Sequence, residues 1–239
     1  MAIIVNMVTK NEQLRYLESS LENAKKYVDD IFVYDDQSDD DTTEILRGSG
    51  VKWKVRPDVI PSFAEAEGSF RYAGWMSMLS CMMLHENDWV LCLDADEFVV
   101  GNIGESIEIL NRGGWLGANL KVHEMWEMSP LQKRVDGFWD TVYGLRLVQL
   151  KNGNHTFRSP SMACGSVPAY AFEDPYNWEL PLELLHFGYA HAEDRVNKYN
   201  FYSSLTHNHN PKHIKSIVEE PVLQDWGGVM PDVWRGVRT

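Results

Sequence analysis

Short runs of β-branched and aromatic residues recur along the first hundred residues, and each is followed by a polar stretch. These runs predict strands over 2–8, 31–34, 51–55 and 88–99. After the first run, apolar residues recur at spacings of three and four: Leu14, Leu17, Leu21 and Ala24. Such spacing predicts an amphipathic helix that covers one face of the strands.

Two more helices are predicted between residues 40 and 84. The segment 40–50 predicts a short helix that glycine ends, and 62–84 predicts a long helix interrupted at Gly68 and Gly74. Strands that alternate with helices indicate an α/β fold, in which a mostly parallel sheet carries helices on both faces.

The pattern changes after about residue 115, where the segments become strand-like and rich in turns. Residues 184–205 predict a strand or loop that leads into a helix, and a proline-containing tail follows from Pro211. A length of 239 residues fits a single domain. We therefore expect one domain over 1–239, in which 1–114 form a nucleotide-binding half and 115–239 an acceptor half.

Composition excludes some classes of function. A net charge of −13 argues against a nucleic-acid partner, because such partners are bound through clustered Lys and Arg. No apolar run approaches the roughly 18 residues of a membrane span, and the opening residues predict a strand rather than a signal peptide, so a cytoplasmic protein is expected. Cys81, Cys92 and Cys164 have neither disulfide nor zinc spacing and are predicted to be buried thiols.

The strand predicted at 88–99 contains the acids Asp94, Asp96 and Glu97. Alternate side chains of a strand point to the same face, so Asp94 and Asp96 should converge on one object. Two adjacent carboxylates repel each other unless a positive charge lies between them. Oxygen ligands suit a hard divalent cation such as Mg²⁺ or Mn²⁺. A pair of solvated turn residues is the plain alternative.

Polar residues also follow the other predicted strands. Thr9, Asp36 and Asp94 fall at the carboxyl ends of their strands. In open α/β sheets, ligands bind outside these ends. The pattern therefore predicts a ligand site at one edge of the sheet.

Several segments resemble family 2 glycosyltransferases of the GT-A fold in order and approximate spacing: "NMVTKNEQLRYLESSL", "DDIFVYDDQSDDDT", "FRYAGW", "DWVLCLDADEFV". The subgroup most similar to them comprises the bacterial glucosyltransferases of lipopolysaccharide cores, which "LRLVQL" and "LLHFGYAHAEDRVNKY" also resemble. The resemblance covers residues 2–100 well and 143–205 loosely. It implies a Rossmann-like nucleotide-binding sheet with a C-terminal elaboration on the acceptor side.

The resemblance assigns donor-binding roles to residues of the first half. Thr9 and Asp36 would contact the base and ribose of a nucleotide, with Glu12 and Asp35 nearby. Arg71 would lie by the base or the phosphates, because arginine can bind phosphate through two hydrogen bonds. A surface salt bridge on the long helix is the alternative for Arg71.

The resemblance also implies a metal site. Asp94 and Asp96 would be the metal motif, with Asp96 more directly on the ion, and His186 would complete the site. A structural histidine is the alternative for His186. His207, His209 and His213 are predicted to be solvated loop residues.

An inverting enzyme of this kind needs a carboxylate that deprotonates the acceptor hydroxyl. Glu193 and Asp194 are the first candidates, although acids are also common at a helix N-terminus. Further candidates come from the acceptor-side segments: Glu124, Glu127 and Asp136.

The resemblance thus implies a metal-dependent enzyme that transfers a sugar, with inversion, from a UDP-hexose donor to a hydroxyl of a glycan, protein or small molecule. A non-catalytic module that binds glycans or nucleotide sugars is the alternative. Nucleotidyl transfer is disfavoured, because no Gly-rich phosphate loop follows the first strand.

Overall fold

The computed structural model describes residues 1–140, 142–153, 155–158, 165–205 and 210–228. The strands are β1 Ile3–Thr9, β2 Asp30–Asp35, β3 Lys52–Val55, β4 Trp89–Asp94, β5 Glu97–Gly101, β6 Gly117–Met128, β7 Leu131–Arg134, β8 Val142–Gln149, β9 Leu182–His186 and β10 Leu223–Asp225. The α-helices are α1 Leu17–Ala24, α2 Thr42–Ser49, α3 Phe63–Cys81, α4 Ile103–Gly113, α5 Ala192–Ser204 and α6 Pro211–Ser216.

The first half of the chain forms the parallel part of the sheet. Its strands lie in the order β3, β2, β1, β4, and all three pairings are parallel. This arrangement confirms the expected α/β fold and brings the carboxyl ends of β1, β2 and β4 to the same edge.

Strand periodicity divides the core between the two faces of this sheet. On β1, Val5 and Met7 pack on the face that α1, α2 and α4 cover. Ile4 points the other way and packs with Phe70 and Trp75 of α3. Helices therefore shield both faces, as a parallel sheet requires.

Helix α3 packs closely on β2 through Gly74. A Cβ atom at this position would lie 3.0 Å from the Tyr34 ring, so a larger residue would push the helix away. The helix is not interrupted at Gly68 or Gly74, and that prediction was wrong. Its irregular residue is Ala66, with φ −155° and ψ 80°, immediately after a capping box formed by Ser62 and Glu65.

The segment 88–99 is not one strand but two. β4 ends at Asp94, and β5 begins at Glu97 after a turn at Ala95 and Asp96. Asp94 and Asp96 therefore do not share one face of a strand, and that prediction was wrong. β5 leaves the parallel strands and pairs antiparallel with β9.

The second half extends the sheet through the long strand β6. This strand pairs antiparallel with β7 and β8 and parallel with β9, and β8 pairs antiparallel with β4. Within the described residues 210–228, the chain forms α6 and then β10, which pairs with β7. The two halves thus share one mixed sheet.

Two predictions from composition have structural outcomes. In the part of the chain that the structure describes, no helix has the length and apolarity to cross a bilayer. Cys92 is buried and Cys81 is partly buried, while Cys164 lies outside the described residues.

Candidate active site

A cleft with a volume of about 530 Å³ opens at the carboxyl ends of β1, β2 and β4. Residues from both halves of the chain line it: Val8, Thr9, Lys10, Glu12, Asp36, Phe63, Ala64, Phe70, Asp94, Ala95, Asp96, His186, Tyr189, Asn197, Lys198, Phe201 and Tyr202. The cleft lies at the edge where the strand-end pattern predicts a ligand site.

One end of the cleft contains Thr9 and Asp36. The Thr9 hydroxyl is buried, and it has no hydrogen-bond partner among the described residues. The Asp36 carboxylate accepts a hydrogen bond from Arg56 Nε at 2.5 Å and another from the Phe63 backbone N–H at 3.1 Å. Lys10 Nζ lies 3.5 Å from the same carboxylate. Asp36 is thus held in place, while Thr9 keeps a free hydroxyl.

Asp35 and Glu12 occupy different environments near this end. Asp35 is fully buried outside the cleft lining, and its carboxylate accepts hydrogen bonds from the Ser38 hydroxyl and backbone N–H. It therefore stabilises the turn after β2. Glu12 lines the cleft, and burial raises its pKa from 4.5 to about 7.

Arg71 is buried, so the surface salt bridge considered for it was wrong. Its Nε donates to Glu67 Oε1 at 2.8 Å, and its Nη2 donates to Asp94 Oδ1 at 3.0 Å. Arg71 therefore fixes the Asp94 carboxylate from the α3 side, and it is not among the residues that line the cleft.

A second arginine, Arg146, contacts Asp94 and Glu97. Arg146 of β8 donates from Nη2 to Glu97 Oε1 at 2.6 Å, and the same nitrogen lies 4.0 Å from Asp94 Oδ2. Glu97 in turn accepts the Asp94 backbone N–H at 2.9 Å. Asp94 is consequently flanked by Arg71 and Arg146, whose charges outweigh burial and lower the pKa of its carboxyl.

Asp96 and His186 face each other at the other end of the cleft. His186 Nε2 lies 3.4 Å from Asp96 Oδ2, and His186 Nδ1 lies 2.5 Å from Glu124 Oε2. Burial opposes a charge on the imidazole, but Glu124 and Asp96 outweigh it and raise the pKa of His186 well above its ordinary value.

Strand pairing sets this arrangement. His186 ends β9 opposite Glu97 of β5 on one side and Glu124 of β6 on the other. The Phe187 backbone N–H donates to the Asp96 carbonyl at 2.9 Å, which ties the turn after β4 to the end of β9. Backbone pairing therefore determines the separation of the carboxylate and the imidazole.

The side chains at this end of the cleft offer part of a coordination shell for a divalent cation. In the described ranges, no group of three or more His, Cys, Asp or Glu side chains forms a complete metal site. Asp96 and His186 nevertheless offer an oxygen and a nitrogen that converge, and Glu124 supports the imidazole from its other nitrogen, as is usual for metal-binding histidines. These two residues fit a cation whose remaining positions are filled by water and substrate oxygens.

The predicted general bases lie at the start of α5. Asp194 is buried, and its Oδ2 lies 3.4 Å from Arg15 Nη2. Glu193 is exposed. Neither residue lines the cleft in this structure. Their catalytic role therefore stays a prediction.

The other candidate bases have clear partners. Glu124 contacts His186, Glu127 accepts a hydrogen bond from Arg195 at 3.0 Å, and Asp136 accepts one from Arg134 at 2.6 Å. Glu124 thus contacts a residue that lines the cleft, His186.

One prediction for the histidines was wrong. His213 belongs to α6, and its ring packs on Trp139 with centroids 4.7 Å apart, so it is not a solvated loop residue. His207 and His209 lie outside the described residues.

Sequence reasoning missed Arg146 and Lys198. Arg146 had a signal, since it is a lone charge within the apolar strand "GLRLVQL". Lys198 had none, because it is one polar residue among many on a helix. The place of both residues at the site follows only from their contacts with acids that are distant in sequence, Glu97 for Arg146 and Asp96 for Lys198.

No family model matches the chain. The chain is 26% identical over 214 residues to an uncharacterized glycosyltransferase of Rickettsia typhi, and equally to one of Rickettsia prowazekii. Each alignment covers 83% of this chain and 64% of the relative. The chain thus spans less than two thirds of the length of these curated relatives.

Among solved structures, the chain is similar to TarS of S. aureus. The TM-score is 0.51 at 14% identity, and the match covers 91% of this chain and 42% of TarS. A likeness at this identity concerns the fold. The chain therefore has the α/β fold of GT-A glycosyltransferases, and its relatives in sequence are proteins named as glycosyltransferases.

Proposed function

We propose that this protein is a metal-dependent glycosyltransferase that moves a sugar, with inversion, from a UDP-hexose to an acceptor hydroxyl. Residues 1–114 would bind the donor, and residues 115–239 would complete the acceptor side of a single domain. The main support is the convergence of Asp96 and His186, 3.4 Å apart, in a cleft at the carboxyl ends of parallel strands.

In this proposal the two ends of the cleft have different tasks. Thr9 and Asp36 bind the nucleoside, and Asp96 and His186 hold Mn²⁺ or Mg²⁺. When bound, the cation acts as a Lewis acid that stabilises the charge of the departing diphosphate. Asp94 lies beside the donor, and Arg71 and Arg146 keep its carboxylate ionised and oriented.

The aromatic wall of the cleft suits a sugar. Tyr189, Phe201 and Tyr202 line the side that the second half provides. Aromatic rings can pack against the apolar face of a ligand while a phenol hydroxyl contacts its polar edge. The acceptor class is left open between a glycan, a protein and a small molecule.

Donor binding and hydrolysis test the proposal directly. Nucleotide sugars carrying UDP, dTDP or GDP are screened by thermal shift with Mn²⁺, and release of free sugar from the best donor is then measured with and without EDTA. We expect UDP-hexose to stabilise the protein and EDTA to stop hydrolysis. Binding without hydrolysis or transfer to any acceptor would favour a non-catalytic module, and absence of binding would refute both functions.

Thr9→Val is expected to weaken binding of UDP and UDP-sugar by the same factor. Valine has nearly the same shape but lacks the free hydroxyl, and one neutral hydrogen bond is worth about 0.5–1.5 kcal/mol, which is roughly 2- to 10-fold in affinity. Because the contact is to the shared nucleoside, the change should appear in KM with kcat preserved. Thr43→Val is the control, because Thr43 is a partly buried residue of α2 that does not line the cleft. Equal UDP affinity in wild type and Thr9→Val would contradict the assignment.

For the general base, we propose Asp194. Three cleft-lining residues of α5 lie three, four and seven positions after it, namely Asn197, Lys198 and Phe201. Residues at these spacings share one face of a helix. Asp194 therefore lies on the same face of α5 as these three cleft-lining residues. It is buried in the first turn of the helix, beside Arg15.

Asp194→Asn is expected to reduce kcat by about 10²- to 10⁴-fold while leaving the affinity for UDP and Mn²⁺ intact, because a base acts on the attacking hydroxyl. Glu193→Gln, its exposed neighbour, is the matched control and should retain transfer. Single-turnover transfer and calorimetry with UDP separate the two effects. Retained transfer in both variants would move the base elsewhere, with Glu124 tested next.

A further inference from the structure

Lys198 places a positive charge at the metal end of the cleft. Its Nζ lies 3.7 Å from Asp96 Oδ2 and 4.3 Å from the centroid of the Tyr189 ring. The side chain lines the cleft and is 24% exposed. An ammonium group over an aromatic ring and beside a carboxylate is held in place but keeps access to the cleft.

The backbone at Gly188 packs against this charge. A Cβ atom at Gly188 would collide with Lys198 Nζ, His186 Nε2 and Asp96 Oδ2. Gly188 is therefore surrounded by three polar atoms, which belong to Lys198, His186 and Asp96. Lys198 consequently shares the immediate surroundings of the two residues that fit a metal.

The contact between Lys198 and Asp96 leaves the ammonium able to bind another group. The two groups form an ion pair, but their separation of 3.7 Å is too long for a hydrogen bond. An ammonium has three N–H donors, and a phosphate oxygen is a strong acceptor for them. The other lysine that lines the cleft, Lys10, pairs with Asp36 at the nucleoside end.

We propose that Lys198 is a phosphate-binding residue, which donates to the diphosphate of the nucleotide-sugar donor next to the cation held by Asp96 and His186. This inference rests on the proposed function. A fixed ammonium at this place would stabilise the charge that grows on the diphosphate as the sugar leaves. Lys198 belongs to α5, so the donor would be held jointly by the first half of the chain and by the helix that carries Asp194.

Three variants and three probes test this role. Lys198→Gln removes the charge, Lys198→Arg keeps it, and Lys25→Gln is a control on a lysine of the exposed Glu22 pair. The probes are UDP with Mn²⁺ by calorimetry, uridine by saturation-transfer NMR, and Mn²⁺ alone by electron paramagnetic resonance. Thermal denaturation of each variant verifies that it is folded.

Lys198→Gln is expected to weaken UDP binding by about 10- to 100-fold, the usual effect of a hydrogen bond to a charged group. Uridine affinity should be unchanged, because the nucleoside end is intact. Affinity for Mn²⁺ alone should be unchanged or higher, since a neighbouring positive charge has been removed. Lys198→Arg should retain most of the UDP affinity.

Two results would overturn the inference and leave the proposed function standing. One is UDP affinity in Lys198→Gln equal to that of wild type. The other is a parallel loss of UDP, uridine and Mn²⁺ binding, which would make Lys198 a structural partner of Asp96. Wild-type protein that binds none of UDP, dTDP and GDP would instead refute the proposed function, and the inference with it.

Discussion

Asp96→Asn is expected to abolish Mn²⁺-dependent binding of UDP and to reduce sugar transfer by more than about 100-fold. Loss of a residue that merely supports a metal ligand typically costs 10- to 100-fold, and Asp96 is proposed as a ligand itself. The neutral amide also stops balancing the positive charge of Lys198, whose Nζ lies 3.7 Å from Asp96 Oδ2. Calorimetry with UDP at several Mn²⁺ concentrations measures the change.

The control for this variant is Asp30→Asn. Asp30 is the first residue of β2, at the end of the sheet opposite the cleft, and it pairs with Lys52 at the surface. The Asp30→Asn variant should bind UDP and Mn²⁺ with the affinities of wild type. Wild-type affinity for UDP that is the same with and without Mn²⁺ would disprove the metal site, whatever the behaviour of Asp96→Asn.

Arg146→Met is expected to lower the free energy of unfolding by about 3–5 kcal/mol. Glu97 is 1% exposed, and Arg146 donates to it at 2.6 Å, so the variant leaves a buried carboxylate without its charged partner. Removing one member of a buried ion pair typically costs this much, because the remaining charge is no longer compensated. Urea denaturation followed by tryptophan fluorescence gives the value.

An exposed ion pair provides the comparison. Arg47 pairs with Glu44 on α2, where both side chains are more than half exposed. Arg47→Met should leave the free energy of unfolding close to that of wild type, because solvent screens such pairs. Equally small effects of the two substitutions would show that the Arg146–Glu97 pair does not stabilise the fold.

The parallel half of the fold could be predicted from the sequence because its signals are local. Apolar runs mark β1, β2 and β4, and leucine spacing marks α1. The shared edge of Thr9, Asp36 and Asp94 then follows from the topology of α/β sheets. The break at Ala95 and Asp96 could not be predicted, because the apolar residues after it continue the strand pattern.

The end of the cleft that contains Asp96 and His186 depends on contacts that no local pattern encodes. Glu124 and His186 are 62 residues apart and meet only because β6 and β9 pair in parallel. Lys198 reaches Asp96 from a helix more than 100 residues later in the chain. The resemblance suggests His186 by its position in the chain. Which side chains contact it follows only from the pairing of β9 with β5 and β6.

The turn between β4 and β5 affects how proteins of this fold can vary. Asp94 ends a strand of the parallel sheet, whereas Asp96 is attached by its backbone to the end of β9. The positions of His186 and Glu124 are thus set by paired strands, and a backbone hydrogen bond from Phe187, the residue after β9, holds the turn that carries Asp96. Natural variation in the length or composition of the surrounding loops can then change which ligand fits the cleft without moving Asp96, His186 or Glu124.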